Sequence, residues 1–277
     1  MHYYLIAPVI RTYQQREALT YSSTQKLEPG QIVLVEVGKR SAPGVVIEKT
    51  KKPEFNTKEV IKIIETTPLP NALLELANWL SDYYQTPPAA VWQTLLPKGL
   101  EKKRQKLTFS YPEVSRKRTK IVFNKEQSDA VKSIEKMSPG TALLQGVTGS
   151  GKTQVYIEIA KKILKEKGQS VIILVPEISL TSQTIAEFNN HFKDSIVVTH
   201  STMTESERHA AWLKCLNADM PQVIIGPRSA LFSPLKISVS LLSMSVTNQA
   251  SNKNKVHATL LFAQLVFFPP NTKQSSF

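Results

Sequence analysis

Eight consecutive residues at positions 146–153 follow the pattern G-x-x-x-x-G-K-T, which is typical of loops that bind the phosphates of a nucleotide. Glycines let the backbone turn where a Cβ atom would clash, so that N–H groups can point at phosphate oxygens. Lys152 is expected to reach the β- and γ-phosphates, and the Thr153 hydroxyl is expected to bind Mg²⁺. The predicted nucleotide-binding residues of the loop are Gly146, Gly149, Ser150, Gly151, Lys152 and Thr153. The alternative is a chance glycine-rich turn.

The segments on either side of the loop favour the nucleotide site. Residues 141–145 read as a short apolar strand, and residues 154–164 read as an amphipathic helix. A strand, the loop and a helix in this order bring the positive N-terminal end of the helix to the bound anion. The loop alone does not specify which nucleotide-hydrolysing enzyme carries it.

From residue 121 onward, helical segments alternate with short apolar strands. The expected strands are 142–145, 171–175, 196–199 and 223–225, and the expected helices are 124–137, 152–167, 181–193 and 204–216. This alternation predicts an α/β fold with a parallel sheet and helices on both faces. With a phosphate loop after the first strand, residues 121–235 look like one RecA-like lobe.

The N-terminal part of the chain has a different pattern. Residues 1–66 contain at least four short β-branched runs separated by turn-forming residues, which predicts a small barrel-like sheet. Residues 70–96 predict a helix that Pro87 and Pro88 break before a second, shorter one. Trp79 and Trp92 are expected to be core residues of this region. We therefore expect a β-rich N-terminal domain over residues 1–100.

The composition is that of a basic globular chain. Its 277 residues leave room for two domains, and the formal net charge is +13. Nine Lys or Arg residues against two Glu lie between residues 98 and 120, so 101–120 is expected to be a basic linker. Such a run is either a solvated linker or a segment that contacts nucleic-acid phosphates. The single Cys215, the lack of a signal-peptide pattern and the lack of a long apolar run predict a cytoplasmic location without membrane contact.

Further residues lie where a nucleotide or a polymer could be bound. Gln127, near the start of a predicted helix, could read the edge of adenine by donating to N7 and accepting from N6. The alternative is a simple helix start, where Asn124 and Gln127 would form a capping box. Glu177 and Thr181 follow the strand 171–175 within L-V-P-E-I-S-L-T, and Arg228 follows the strand 223–225 within I-G-P-R-S-A-L-F. Ligands bind at such strand ends in open α/β sheets.

Taken together, these segments resemble the superfamily 2 replication-restart helicase family of primosomal protein N′ (PriA). The resemblance is carried by G-V-T-G-S-G-K-T, V-P-E-I-S-L-T, the His200-Ser201 pair, residues 206–214 (S-E-R-H-A-A-W-L-K) and G-P-R-S-A-L-F. It covers residues 121–235 strongly and residues 1–100 more weakly, where S-D-Y-Y and L-L-P look like motifs of the family.

The resemblance implies an ATP-dependent 3′→5′ DNA helicase or translocase of the primosome. Gln127 would read adenine, the phosphate loop would hold ATP and Mg²⁺, and Glu177, Thr181 and Arg228 would contact single-stranded DNA. The N-terminal domain would grip a 3′ DNA end through Gly38 and Lys58, although Leu19 and Thr20 depart from the family's pocket. Other primosome proteins and single-strand-binding proteins would be partners, while the family's zinc-binding region has no counterpart here.

The chain also departs from the family. The winged-helix domain is expected between the two domains, but only about 25 residues join them. The last 58 residues contain no Asp or Glu, and Ser243-Met-Ser245 stands where the family carries its D-E-E-H motif. Hydrolysis needs such an acid to hold Mg²⁺.

The codons suggest an origin for this difference. Because Ser-Met-Ser can be written TCG ATG AGC, which contains GAT GAG in another frame, we hypothesise a frameshift near residues 236–238. Residues 236–277 would then be an out-of-frame, poorly specified tail, and a divergent tail is the alternative.

Three functions remain to be weighed. The first is the ATP-dependent helicase, with this chain binding ATP and DNA but deficient in hydrolysis. The second is a non-catalytic DNA-binding remnant that uses residues 1–100 and the basic linker. The third is an unrelated phosphate-loop enzyme such as a small-molecule kinase, which leaves the P-E-I-S-L-T and G-P-R-S-A-L-F segments unexplained.

Overall fold

The computed structural model divides the chain into two compact units. It describes residues 1–10, 18–102, 111, 122–137, 142, 144, 146, 149–236, 239–244, 247–248, 256–257 and 263–265. The first unit comprises Met1–Leu107 with Met203–Asn217, and the second comprises Thr108–Thr202 with Ala218–Phe277. Residues 203–217, which lie within the expected lobe 121–235, group with the first unit.

The first unit contains a six-stranded sheet. Its strands are β1 (His2–Pro8), β2 (Leu19–Ser23), β3 (Ile32–Val37), β4 (Arg40–Thr50), β5 (Lys58–Glu59) and β6 (Lys62–Glu65). They lie in the order β5-β2-β1-β4-β3-β6, and all neighbours are antiparallel except β2 and β5. Buried side chains of these strands form an apolar core cluster of this unit, among them Tyr4 and Ile6 on β1, Val33 and Val35 on β3, and Val46 on β4. The β-rich expectation is confirmed.

Two helices follow this sheet, α1 (Asn71–Tyr84) and α2 (Pro88–Leu95), with the expected break between them. Trp92 is buried at 2% exposure, as expected. The expectation that Trp79 is a core residue is wrong, because it is 53% exposed and stacks on Tyr83 with ring centroids 4.9 Å apart. Residues four apart share one helix face, and here that face is on the solvent side. The buried face of α1 is formed by Leu73 and Ala77.

The second unit contains a mostly parallel sheet flanked by helices. Its strands are β7 (Ser170–Leu174), β8 (Ile196–Val198), β9 (Val223–Gly226), β10 (Val239–Ser243) and β13 (Ala263–Leu265), in the order β13-β10-β7-β9-β8. The four strands β10, β7, β9 and β8 are parallel, and β13 pairs antiparallel with β10. Two short strands, β11 (Thr247–Asn248) and β12 (Val256–His257), pair separately. The α/β expectation is confirmed. The predicted strand 141–145 lies outside the described residues except for Ala142 and Leu144, which pack partly against the core.

The helices begin and end within two residues of their expected positions. They are α3 (Lys125–Glu135), α4 (Lys152–Glu166), α5 (Ser182–Phe192) and α6 (Glu205–Leu216). Side chains cap three of them, since Asn124, Thr181 and Thr204 each accept a backbone N–H of the first turn. At α3, the Gln127 side-chain oxygen accepts the N–H of Asn124, and this second bond completes a capping box. Helix α6 groups with the first unit, where the Thr67 hydroxyl donates to Asn217 Oδ1 at 2.6 Å.

Part of the segment expected to be poorly specified is built into the sheet. Strand β10 pairs with β7 from Val239 opposite Ser170 to Ser243 opposite Leu174. Leu242 is fully buried in the core of the second unit, and the Met244 N–H donates to the Leu174 carbonyl at 2.8 Å. An apolar V-x-L-L run can pair with a buried strand whatever its origin, so this pairing does not test the frameshift hypothesis. Most of the chain after residue 248 lies outside the described residues.

Candidate functional site: the phosphate loop and two possible DNA contacts

The phosphate loop leads directly into the first turn of α4. Gly149 and Gly151 have φ values of +81° and +78°, a left-handed conformation that side chains with a Cβ atom rarely adopt. Gly151 is the N-cap of α4, so Lys152 and Thr153 occupy the first two helical positions. The backbone therefore turns sharply where the sequence predicts it, and the positive end of the helix faces the loop. Val147 and Thr148 lie outside the described residues.

The side chain of Lys152 folds back over the loop. Its Nζ donates to the Gly146 carbonyl at 2.8 Å, across six residues of sequence. Burial of the ammonium group lowers the pKa of Lys152. A partly desolvated cation inside a turn of backbone amides attracts an anion strongly, because the local dielectric is lower than that of water. The predicted phosphate-binding residues that the structure describes are thus brought together.

Gln127 connects helix α3 to this loop. Its Nε2 donates to the Ser150 carbonyl at 2.9 Å, while its Oε1 accepts the N–H of Asn124 at 3.0 Å. The prediction placed Gln127 near the nucleotide for base reading but missed this contact with the loop backbone. A Gln at the third position of a capped helix is a sequence signal for a capping box. No sequence signal identifies the contact of this Gln with the loop 23 residues later.

The three residues predicted to contact single-stranded DNA lie beyond the carboxyl ends of neighbouring strands. Glu177 begins a short 3₁₀ turn after β7, and Arg228 begins another after β9. Because β7 and β9 are paired in parallel, with Leu174 opposite Gly226, both turns leave the same edge of the sheet. Glu177 and Arg228 are exposed. Thr181 is exposed as well, and its hydroxyl accepts the Thr184 N–H as the cap of α5.

In the first unit, the residues predicted to hold a DNA end do meet. Lys58 Nζ donates to the Gly38 carbonyl at 2.7 Å, although 20 residues separate them. The same ammonium forms an ion pair with Glu36, which sequence reasoning missed. Tyr21 lies beside this group, since its hydroxyl donates to the Glu36 carbonyl oxygen of the backbone at 3.0 Å. Burial, with a smaller contribution from the Glu36 carboxylate, raises the pKa of Tyr21 to about 12, so its hydroxyl stays protonated.

The basic linker falls almost entirely outside the described residues. The exception in its middle is Tyr111, which packs partly against the core of the second unit. Its hydroxyl accepts the Val198 N–H at 3.1 Å. Val198 ends β8, which lies at one end of the described strand order, so Tyr111 satisfies a backbone group on that strand. The predicted contact between the linker and nucleic acid remains a prediction.

Among the described residues, no three His, Cys, Asp or Glu side chains are grouped as metal ligands would be. The chain has Ser243 and Met244 at the end of β10, where the carboxyl ends of β7 and β9 also lie. Glu187 on α5 is half-buried and hydrogen-bonded to Gln154, and burial raises its pKa.

In the part of the chain that the structure describes, no helix is both long and apolar enough to span a bilayer.

Two sequence families match the chain. Residues 8–97 match the family described as 3′ DNA-binding domain of PriA (3′BD), and residues 120–263 match the family described as Type III restriction enzyme, res subunit. The first match begins at the last residue of β1 and covers the other five strands of that sheet with α1 and α2. The second covers the phosphate loop and the parallel sheet, including β10.

Two curated relatives match most of the chain, and a third matches less than half of it. The replication restart protein PriA of Helicobacter pylori (strain 26695) is 32% identical over 244 residues, which cover 85% of this chain and 36% of the relative. The PriA of Rickettsia felis is 32% identical over 221 residues, covering 76% of this chain and 32% of the relative. The PriA of Chlamydia trachomatis is 44% identical over 118 residues, covering 41% and 15%. The chain thus spans about a third of the length of the relatives that it matches most fully.

Proposed function

The chain belongs to the PriA replication restart family, and from that premise we propose that it binds ATP and DNA as the N-terminal part of a 3′→5′ DNA helicase or translocase that acts at stalled replication forks. Helicase domains of this kind generally use a nucleotide and Mg²⁺. Residues 121–235 would form the ATP-binding lobe, and residues 1–100 would bind DNA. Other primosome proteins and single-strand-binding proteins would be partners, and the protein would act in the cytoplasm.

The observation that carries the nucleotide part of the proposal is the fold of the phosphate loop. Two left-handed glycines turn the backbone into the N-terminus of α4, and Lys152 is held over the turn. These residues fit a triphosphate: the loop offers backbone N–H groups, the helix offers its positive end, and the lysine adds a charge. On nucleotide binding, Lys152 would exchange the Gly146 carbonyl for phosphate oxygens.

The fit to Mg²⁺ is only partial, and this supports a deficiency in hydrolysis. Thr153 can offer a hydroxyl oxygen, and Mg²⁺ bound with the nucleotide would neutralise charge on the β- and γ-phosphates. By the resemblance, the acid of the family's motif would stand at position 244, where this chain has Met244, and no Asp or Glu occurs after Asp219. Without a carboxylate to hold the metal and to activate water, we expect ATP to be bound but scarcely hydrolysed.

The missing acid is the reason to propose a frameshift at residues 236–238 as the origin of the tail. The displaced Asp-Glu codons would lie at the positions of the family motif, which a randomly divergent tail would not place there. Resequencing the locus across codons 230–250 tests this. An intact frame with no Asp-Glu codons in either other register around residues 243–245 would refute the proposal.

The DNA part of the proposal rests on two separate surfaces. In the first unit, the Lys58 ammonium group contacts the Gly38 carbonyl, and there it could bind the phosphate of a DNA end. In the second unit, Glu177, Thr181 and Arg228 follow the strand ends, and Arg228 would pair with the backbone of a single strand. The two surfaces are separate proposals, and neither depends on the other.

A non-catalytic DNA-binding remnant is the second candidate. The Lys58–Gly38 contact favours it, because that contact needs neither the phosphate loop nor a nucleotide. The two candidates differ in how DNA and ATP affect each other. In the helicase fragment, an ATP analogue should change the affinity for forked DNA, and a Lys152→Ala variant should lose that change.

Steady phosphate release in the presence of forked DNA is the test of the proposed function. We expect a rate at the background of the Lys152→Ala variant, together with saturable binding of ATP and of DNA. Robust turnover that the Lys152→Ala variant abolishes would contradict the hydrolysis deficiency. Binding of DNA without any binding of ATP would leave the remnant as the function of this chain.

A further inference from the structure

The amide of Gln127 is fixed between two backbone groups. Its oxygen accepts the Asn124 N–H at the start of α3, and its nitrogen donates to the Ser150 carbonyl at the tip of the phosphate loop. The capping box determines the orientation of the amide, because the side-chain oxygen must face Asn124. The nitrogen is therefore directed at the loop before any ligand arrives.

The loop is shaped to receive this amide. Gly151 follows Ser150 with a φ of +78°, and a Cβ atom built on Gly151 would overlap the Gln127 amide nitrogen. The backbone conformation and the close approach both exclude a side chain at residue 151. Gln127 and Gly151 thus fit each other sterically as well as through the hydrogen bond.

The bond to Ser150 also orients the next N–H group. The peptide unit between Ser150 and Gly151 is planar, and in a trans peptide its C=O and N–H point in opposite directions. With the Ser150 carbonyl held towards Gln127, the N–H of Gly151 points away from Gln127. The backbone N–H groups of such a loop are the groups that receive phosphate oxygens, and the N–H of Gly151 is one of them.

We propose that Gln127 is a positioning residue of the phosphate loop, which orients the peptide unit between Ser150 and Gly151 and so strengthens the binding of any triphosphate, whatever its base. This inference rests on the proposed nucleotide site. It differs from the expectation that Gln127 selects ATP by reading adenine. Both the donor and the acceptor of the amide already bind backbone groups, whereas a base reader would direct them at the adenine edge.

The two roles predict different ligand patterns. Binding of ATP, GTP and base-free tripolyphosphate, each with Mg²⁺, is measured by calorimetry for the unaltered chain and for Gln127→Met. A positioning residue predicts that the variant binds all three ligands more weakly by the same factor, about fivefold, as expected for one lost hydrogen bond. A base reader predicts a loss for ATP alone, and that result would overturn the inference. An unchanged affinity for all three ligands would overturn it as well.

A matched control separates the loop from the helix cap. Asn124→Ala breaks the capping bond to the Gln127 N–H but leaves the Gln127 bond to Ser150, so the three affinities should stay within twofold of those of the unaltered chain. If Asn124→Ala weakens binding as much as Gln127→Met, the effect comes from the start of α3, and the inference fails. Gln127→Glu keeps an acceptor for Asn124 and lacks the donor, so it replaces Gln127→Met if that variant does not fold.

The result for the unaltered chain distinguishes failure of this inference from failure of the proposed function. If the unaltered chain binds none of the three ligands, the nucleotide site itself is refuted, and the inference falls with it. If it binds all three and the variants show no common loss, only the role of Gln127 is refuted.

Discussion

The hydroxyl of Tyr156 donates a hydrogen bond to the Ser243 carbonyl at 3.1 Å, which joins the helix after the phosphate loop to the end of strand β10. Tyr156 is fully buried, and burial raises its pKa to about 12. The bond spans 87 residues of sequence. Residues 239–243 are therefore attached to the rest of the second unit by a side chain as well as by pairing with β7.

Removing this hydroxyl should lower the stability of the second unit. Tyr156→Phe leaves the Ser243 carbonyl without this donor and should cost about 1 kcal/mol in the free energy of unfolding. Hydrogen–deuterium exchange of peptides from α4 and β7 at increasing urea concentrations measures the change, because the three tryptophans of the chain lie in the first unit. Tyr3→Phe is the control, since the Tyr3 hydroxyl is exposed and should contribute little. Equal stability of Tyr156→Phe and the unaltered chain would show that β10 is not held as described.

Substitutions of Lys58 and of its ion-pair partner Glu36 should change the affinity for DNA in opposite directions. Lys58→Ala removes the cation at the proposed DNA-end site and should weaken binding of short single-stranded DNA several-fold. Glu36→Gln removes a neighbouring negative charge and frees the ammonium, so it should strengthen binding by a smaller factor. Fluorescence anisotropy at two salt concentrations measures both, and the salt dependence should be shallower for Lys58→Ala. Equal affinities for the two variants would place the DNA site elsewhere.

The half-buried carboxyl of Glu187 should make stability depend on pH. Burial raises its folded-state pKa above the unfolded value, so the folded state binds the proton more tightly. The stability contributed by protonation is present at low pH and is lost as the pH rises through the folded pKa. Glu187→Gln keeps a hydrogen-bonding partner for Gln154 and removes the charge. This variant should therefore melt at a higher temperature than the unaltered chain at pH 7.

The comparison at low pH provides the control for Glu187. At about pH 4, near the ordinary pKa of a glutamate, the difference in melting temperature should shrink, because the native carboxyl is then largely protonated. Glu126→Gln, at an exposed position in the first turn of α3, should show no such gain at pH 7. A constant difference between the two pH values would mean that the charge of Glu187 is not the cause.

Tyr111 should protect the backbone of strand β8. Tyr111→Phe removes the acceptor of the Val198 N–H, and that amide should then exchange with solvent faster. Hydrogen–deuterium exchange resolved to peptides around residues 196–199 measures the effect, and peptides from β3 in the first unit provide the reference. Unchanged protection at Val198 would indicate that Tyr111 does not bind this strand.

Local patterns predicted much of the fold, because helix periodicity and apolar runs are properties of short segments. The ends of α3, α4, α5 and α6 lay within two residues of expectation for this reason. The exposure of Trp79 could not be predicted, since it depends on which side of α1 meets the rest of the unit. The segment Leu19–Ser23, which forms β2, was not among the runs expected at 3–10, 32–37, 45–48 and 60–65, because three of its five residues are Thr or Ser.

The residues of the candidate site could be named from the sequence, but the contacts between them could not. The phosphate-loop pattern is local, so its glycines and its lysine could be named from spacing alone. The bonds of Gln127 to Ser150 and of Lys58 to Glu36 join residues more than 20 positions apart, and only the folded chain brings them together. The grouping of α6 with the first unit has the same cause, because Thr67 and Asn217 are 150 positions apart.

The central claim is that the turn ending at Lys152 and Thr153 binds a triphosphate, and equilibrium titration of the chain with ATP and Mg²⁺ tests it most directly. The account predicts saturable binding at one site and a loss of at least about tenfold in affinity for Lys152→Ala, as expected when a charge-assisted contact to phosphate is removed. Lys161→Ala, at a surface position of the same helix, should bind ATP as the unaltered chain does. Absence of ATP binding, or equal affinity for the unaltered chain and Lys152→Ala, would contradict the account.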